Sequence, residues 1–138
     1  MSYDQYQGGA GPVARIRWAQ SIIEHAITLI PVQKILLGIA GYGYDYSSNG
    51  KDTVASRDAV PLAVKYGAAV IWDDESQTPH FSYVEKGLRH DVWFENGYSV
   101  AFKLNLVNSY GLGGVALWSL GQEDDYMWKV VSGKLKIR

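Results

Sequence analysis

Residues 111–125 read GLGGVALWSLGQEDD, a short apolar strand that ends in a tryptophan and is followed by acidic residues. Side chains alternate between the two faces of a strand. One face of this strand therefore carries small residues and then an indole, namely Gly114, Ala116 and Trp118. The other face is aliphatic and suits packing under helices. The small face leaves room for a flat ligand beside Trp118.

The run Lys34–Ala40, KILLGIA, shows the same pattern. Its small face ends in an aromatic residue, Tyr42, and the opening segment Met1–Asp4 resembles a strand end that carries Tyr3. The carboxyl ends of parallel strands meet at one edge of a sheet, where α/β enzymes place their sites. The pattern predicts an open cavity shared by Trp118 and Tyr3. Ordinary core strands whose aromatic side chains fill space are the alternative.

Strands alternate with helical patterns along the rest of the chain, which predicts βαβ units and the α/β class. Helices are expected at Val13–Ile30 with Pro12 in the first turn, at Ser56–Tyr66 with Ser56 as N-cap, at Gly97–Tyr110 between Asn96 and Gly111, and at Glu123–Val131. The glycine, serine and asparagine content of Gly41–Gly50 predicts a loop. Further strands are expected at Ala69–Asp73, Pro79–Val84 and Arg89–Phe94, with a turn at Lys86–Gly87.

The amino-acid composition favours some classes of protein and excludes others. The chain has 138 residues, 47% hydrophobic, with a formal net charge of −1 and no cysteine. This favours one globular domain and excludes a polybasic nucleic-acid binder and thiolate metal sites. No apolar run reaches the roughly 18 residues of a membrane helix. The spacing of the three histidines predicts no metal site, and no cofactor is expected.

Four blocks carry a resemblance to a known family. They are Met1–Asp4, Leu37–Gly43, Val92–Asn96 with Ser99, Val100 and Lys103 after it, and Gly113–Leu120. The first, second and fourth blocks resemble the M-x-Y-D, L-G-x-P-x-Y-G and G-G-x-x-x-W-S-x-D segments of glycoside hydrolase family 18, the chitinase-like enzymes. The third block is similar to the segment that leads into that family's penultimate helix. Within that family the chain is most similar to bacterial spore-associated glycosylases that act on peptidoglycan.

The resemblance implies a (β/α)8 TIM barrel, which needs at least roughly 200 residues. We therefore expect the chain to be the carboxyl-terminal part, about the last three βα units, with a small α+β insertion. Residues 1–53 are expected to hold barrel strand 6, helix 6, strand 7 and a loop, residues 54–96 the insertion, and residues 97–138 the last helix, strand and helix. The family's acid motif, D-x-x-D-x-D-x-E, is absent, and the acids of Asp91–Glu95 have the wrong spacing.

The resemblance also implies a mechanism and roles for four residues. Family 18 enzymes retain configuration by substrate assistance, because the sugar's own acetamide attacks the anomeric carbon. Tyr3 would then assist catalysis by hydrogen bonding the acetamide carbonyl. Asp4 would contact the sugar near the scissile bond, Trp118 would lie under the ring, and Tyr42 would line the cleft. Tyr44 stands where many members have a sugar-binding arginine.

The expected partner is an N-acetylglucosamine-containing polysaccharide, peptidoglycan or chitin-like, at the cell wall or spore envelope or outside the cell. Nucleic acid and membrane are not expected partners. We expect the isolated chain to lack hydrolase activity, since the general acid lies outside it, and to self-associate or join the missing amino-terminal part. A non-catalytic carbohydrate-binding or structural member of the family is the alternative. A phosphate site at Gly111–Gly114 is disfavoured, because these glycines precede a strand and not a helix.

Overall fold

A computed structural model describes residues 1–5 and 8–135. Besides a short 3-10 helix at Val32–Lys34, four α-helices and seven strands follow one another along these ranges. They are α1 (Ile16–Ala26), β1 (Leu36–Ala40), β2 (Tyr42–Ser47), β3 (Gly50–Ala55), α2 (Ser56–Lys65), β4 (Ile71–Asp73), β5 (Thr78–Glu85), β6 (Leu88–Phe94), α3 (Gly97–Tyr110), β7 (Gly114–Trp118) and α4 (Asp125–Lys134). No helix in this part of the chain is long and apolar enough to cross a bilayer.

Strands β1 and β7 form a two-stranded parallel sheet in which Ala40 lies opposite Trp118. The aliphatic face of this sheet packs on α3 and α4, as the alternation predicts. The cluster there comprises Ile39, Val100, Leu104, Met127 and Val130. On the opposite face, a Cβ added to Gly38 would lie 3.0 Å from the Tyr3 ring. Because Gly38 has no side chain, the Tyr3 ring can pack directly against β1.

The other five strands form an antiparallel sheet in the order β3-β2-β6-β5-β4. Helix α2 packs on it through a core of its own, which comprises Ala59, Ala63, Phe81, Tyr83, Val92 and Phe94. The turn Lys86–Gly87 joins β5 to β6 with positive φ at both residues, 50° and 79°. This is the left-handed conformation of a two-residue hairpin turn, so the predicted hairpin is confirmed.

Helix α3 joins the two sheets and has the predicted ends. Asn96 and Ser99 form a reciprocal capping box, and Gly111 ends the helix with φ 66°. Such caps satisfy the free backbone groups of a helix end. Below the first turn, Lys103 Nζ donates to Glu95 at 2.8 Å, and both side chains are almost fully buried. The pair ties α3 to the end of β6.

The predicted loop Gly41–Gly50 is wrong, because β2 and β3 form a hairpin there. A Cβ on Gly43 would lie 2.1 Å from the Trp93 carbonyl oxygen. This glycine therefore allows close approach of β6 and does not mark a loop. The antiparallel sheet begins at Tyr42, ahead of residue 54, where the insertion was expected to begin. The division of the chain into domains remains a prediction.

Several predicted ends also differ from the structure. The segment Met1–Asp4 is not a strand, although Ser2 Oγ donates to the Gly38 carbonyl at 2.7 Å. Helix α1 begins at Ile16 and not near Pro12, because the Val13 carbonyl accepts from the Gln5 amide. Its regular part ends at Ala26, and turns lead on to Ile30.

The predicted cap of α2 and the predicted start of α4 also differ from the structure. Ser56 is the first residue of α2 and not its cap, so its hydroxyl caps nothing. Helix α4 begins at Asp125, because the Asp124 carboxylate accepts from the amides of Tyr126 and Met127. An aspartate at this position is a favourable N-cap.

Candidate functional site

Asp4 is the exposed carboxylate at the centre of the site. Two phenols donate to its Oδ1 atom, Tyr42 at 2.6 Å and Tyr44 at 2.7 Å. Its backbone has φ 61°, an uncommon conformation for a residue with a side chain. Tyr42 and Tyr44 reach Asp4 together because they occupy alternate positions on β2 and so share one face. The strand thus holds the carboxylate from one side and leaves the other open.

The two phenols remain hydrogen-bond donors over the physiological range. Burial raises the pKa of Tyr42 far above its usual value, and the hydrogen bond to Asp4 adds to this. The same two causes raise the pKa of Tyr44 to about 12. Neutral phenols and an acceptor-only carboxylate form charge-assisted hydrogen bonds, which are short and strong. The orientation of Asp4 is therefore fixed.

Tyr3 is buried, with 9% of its surface exposed. Its ring lies edge-on to Tyr42, with ring centroids 6.3 Å apart, in a cluster that includes Val13 and Ala40. Burial raises the pKa of the Tyr3 phenol. The hydroxyl donates to Met1 Sδ at 3.1 Å. A thioether is a weak acceptor, so a stronger acceptor can replace it.

Trp118 lies at the carboxyl end of β7 with 61% of its surface exposed. Its carbonyl accepts from the Gly41 amide at 2.7 Å, one residue before Tyr42. Its side chain points to the same face of the sheet as Gly38, where the Tyr3 ring is seated. The backbone of Trp118 is thus anchored beside the tyrosines while the indole stays accessible.

A cavity of about 640 Å³ opens beside Asp4. The glycine loop 8–10 and β2 and β3 line it, with Tyr44, Tyr46 and Lys51 among the contributing side chains. Neither Tyr3 nor Trp118 lines it. This cavity is therefore not the one predicted between the two rings, and a shared opening for Tyr3 and Trp118 stays a prediction. The Tyr3 ring packs against Gly38 of β1 and is buried there.

The sequence prediction missed Tyr44, Tyr46 and Lys51 as components of this cavity. The signal was present in YGYDYS, where tyrosines alternate from position 42 to position 46 as they do on one face of a strand. The two rings of Tyr44 and Tyr46 lie edge-to-face with centroids 5.9 Å apart. Lys51 lies opposite Tyr46 on β3.

The acidic groups near the sheet edge are occupied by structural contacts. Glu123 accepts from the Trp128 indole at 2.8 Å, and the Asp124 carboxylate caps α4. Glu95 is buried in its ion pair with Lys103. Among residues 1–5 and 8–135, no three histidine, aspartate or glutamate side chains are grouped as metal ligands. Asp4, in contrast, is exposed at this edge, and both of its phenol partners bond to the same one of its two oxygens.

The fold and the site define an α/β protein with a carboxylate and aromatic rings at the carboxyl edge of its parallel strands. The sequence model of glycosyl hydrolases family 18 matches residues 1–123, and the chain belongs to this family. The cortical fragment-lytic enzyme of Bacillus anthracis is 34% identical over 95% of the chain. That of Bacillus subtilis is 32% identical over 99%. The chain spans about a third of the length of these relatives.

Solved structures agree with this assignment. The spore cortex-lytic enzyme SleL of Bacillus cereus matches all of this chain with a TM-score of 0.93 and 33% identity, over 34% of its own length. A chitinase from Chromobacterium violaceum matches all of this chain with a TM-score of 0.90 and 40% identity, over 45% of its own length. The chain is thus similar to glycosidases over its whole extent.

Proposed function

We propose that residues 1–138 form the carboxyl-terminal part of the TIM barrel of a retaining, substrate-assisted glycoside hydrolase. Its substrate is an N-acetylglucosamine-containing polysaccharide, peptidoglycan or chitin-like. Family membership and the names of the relatives, which are cortex-lytic enzymes and chitinases, support this proposal. The same names favour action at the cell wall or spore envelope.

In the proposed reaction, the acetamide carbonyl of the sugar attacks the anomeric carbon while a glutamic acid protonates the leaving oxygen. Tyr3 donates a hydrogen bond to that carbonyl in place of its bond to Met1 Sδ, a weaker acceptor, and keeps its own proton. Asp4 accepts from the acetamide N–H or a hydroxyl, since two phenols occupy only one of its oxygens. Such fixed groups stabilise developing charge without having to reorganise.

Trp118 supplies the flat surface in this proposal. Sugar rings carry apolar C–H faces, and an exposed indole offers a large rigid area to pack against them. The backbone of Trp118 is anchored to Gly41, one residue before Tyr42, which in turn donates to Asp4. An indole 61% exposed at the end of a strand, on a backbone bonded beside this tyrosine, is the observation that carries the proposal.

We propose that the general acid lies outside residues 1–138. The glutamates nearest to this edge are engaged, Glu95 by Lys103 and Glu123 by Trp128. The open face of the parallel sheet includes Leu36, which is 58% exposed. In the proposal this face packs against the rest of the barrel, or against a second copy when the chain is alone. Light scattering of the isolated chain tests this, and a stable monomer at high concentration contradicts it.

Titration calorimetry with the N-acetylglucosamine tetramer tests the proposed ligand. Asp4→Asn removes the acceptor charge, and we expect it to weaken binding about tenfold, as for loss of a charged hydrogen bond. Asp52→Asn is the matched control, because Asp52 is exposed on β3 outside the cavity. Its affinity should stay within about twofold of wild type, the usual range for such surface changes. Equal effects of the two variants would contradict the proposal.

The same tetramer tests the position of the general acid. We expect the 138-residue chain to bind it without hydrolysing it, as judged by chromatography of the products. Robust hydrolysis by this chain alone would show that one of its own carboxylates protonates the leaving group. The proposal that the acid lies elsewhere would then be withdrawn.

A further inference from the structure

The cavity beside Asp4 contains a cation that the proposed mechanism does not use. Lys51 lies on β3 at the cavity wall, with Nζ 3.8 Å from the centroid of the Tyr44 ring. Within the described ranges no carboxylate lies at ion-pair distance from it. The other cation of the wall, Arg89, is paired with Asp91 at 2.9 Å. Lys51 thus has no acidic partner among the described residues and faces the cavity.

Tyr44 connects this cation to the site already described. Its hydroxyl donates to Asp4 at 2.7 Å, while its ring face holds Lys51. Attraction between an ammonium group and an aromatic ring positions the cation without neutralising it. The cavity therefore has an acceptor end at Asp4 and a cationic end at Lys51, with Tyr44 between them.

The walls of the cavity suit a saccharide. A volume of about 640 Å³ falls within the ~300–1,000 Å³ range of small-molecule sites. Tyr44 and Tyr46 contribute aromatic surface. A Cβ on Gly8, Gly9 or Gly50 would meet nothing within 4 Å, so these wall positions border open space. A ring can enter, and its substituents can reach Lys51.

We propose that Lys51 binds a carboxylate on the saccharide unit that occupies this cavity, and so selects an acidic N-acetylated glycan over a neutral one. This inference rests on the proposed function, and it identifies the carboxylate as the substrate feature that the site recognises. A polymer of N-acetylglucosamine alone has no group that requires this charge. The carboxylate can come from a lactyl ether on the sugar, as in N-acetylmuramic acid, or from an attached peptide.

The test measures dissociation constants by calorimetry for the protein and its Lys51→Met variant. Three ligands are compared. They are the neutral N-acetylglucosamine tetramer, the N-acetylglucosamine–N-acetylmuramic acid disaccharide, and that disaccharide with an alanyl-glutamic acid stem. The stem converts the lactyl carboxylate to an amide and moves the charge onto the peptide. Circular dichroism and a melting curve verify that the variant folds.

We expect the variant to weaken disaccharide binding about five- to tenfold, as for loss of a charge-assisted hydrogen bond, and tetramer binding by a smaller factor. If Lys51→Met weakens binding of only the stem-bearing ligand by this factor, the carboxylate that Lys51 binds belongs to the peptide. Lys65→Met is the matched control, since Lys65 also lies over a tyrosine ring, at 4.7 Å from the Tyr66 centroid, but outside the cavity. Lys65→Met removes the same charge from the protein and should not change its preference for acidic over neutral ligands.

Two results would overturn the inference. If Lys51→Met weakens binding of all three ligands equally, or of none of them, then Lys51 does not recognise a carboxylate. The proposed function is unaffected by that result. If the wild-type protein fails to bind the neutral tetramer and both acidic ligands, the proposed function fails and this inference fails with it. Binding of the neutral tetramer to the wild-type protein therefore distinguishes failure of the Lys51 inference from failure of the proposed function.

Discussion

The two sheets of this molecule differ in how completely they bury their faces. The antiparallel sheet has its own core, in which Phe81 is fully buried, under helix α2. The parallel pair of β1 and β7 is packed along its helix side, and its other face is covered by Tyr3 only near Gly38 and Ala40. The rest of that face exposes Leu36 and Trp118. Exposed apolar surface of this kind marks places where something binds. The antiparallel sheet has a closed core under α2, and its β2–β3 hairpin borders the cavity. The open face of the parallel pair carries Trp118.

The largest effect is expected at the junction of the two sheets. Lys103→Met would leave the Glu95 carboxylate buried without its partner, which typically costs about 3–5 kcal/mol. The free energy of unfolding from urea titration measures this. Replacing both partners, with Glu95→Gln added, should recover part of the loss, because the uncompensated charge is gone. A single variant as stable as wild type would show that the junction does not depend on the pair.

The packed and open faces can be compared at two adjacent leucines of one strand. Leu37 is 3% exposed and Leu36 is 58% exposed. Leu37→Ala should cost about 2–5 kcal/mol as a core truncation. At protein concentrations low enough for light scattering to show the monomer, Leu36→Ala should fall within about 0.5 kcal/mol of wild type as a surface change. A large loss in the monomer would contradict the open face.

A smaller effect is expected from the Tyr44 phenol at alkaline pH. Its pKa is raised to about 12 in the folded protein, first by burial and then by its bond to Asp4. An unfolded tyrosine ionises near pH 10. The stability from this shift is therefore complete below about pH 10 and is lost as the pH rises towards 12.

Unfolding midpoints in urea from pH 8 to pH 11 test this pH dependence. Wild type should lose more stability over that interval than Tyr44→Phe, which has no phenol at this position. The pH 8 values serve as the internal control, because neither state of Tyr44 is ionised there. If the unfolding midpoints of the two proteins fall equally between pH 8 and pH 11, the raised pKa of Tyr44 is refuted.

Local signals made some elements predictable from sequence. Asn96 and Gly111 act within one turn of α3, so both ends of that helix were predicted correctly. The alternation of small and aliphatic residues in β1 and β7 likewise identified the packed face. These features depend on neighbours that are close along the chain.

The cavity could not be predicted in the same way, because it depends on distant contacts. Gly43 resembles a loop residue until β6 is seen to pass against it. Lys51 meets Tyr44 only across the β2–β3 hairpin, whose first strand lies within the predicted loop Gly41–Gly50. Of the four predicted site residues, Tyr3, Asp4 and Tyr42 meet in one cluster, whereas Trp118 stands at its margin.

The most direct test of the saccharide site uses Trp118→Ala, with Trp128→Ala as the control for another half-exposed indole. Because Trp118 is 61% exposed, its removal should change the free energy of unfolding by no more than about 0.5 kcal/mol. Loss of a stacked aromatic surface should nevertheless weaken binding of the N-acetylglucosamine tetramer at least about tenfold. Trp128→Ala should bind like wild type. Unchanged affinity in a folded Trp118→Ala protein would contradict the assignment of this edge as a sugar site.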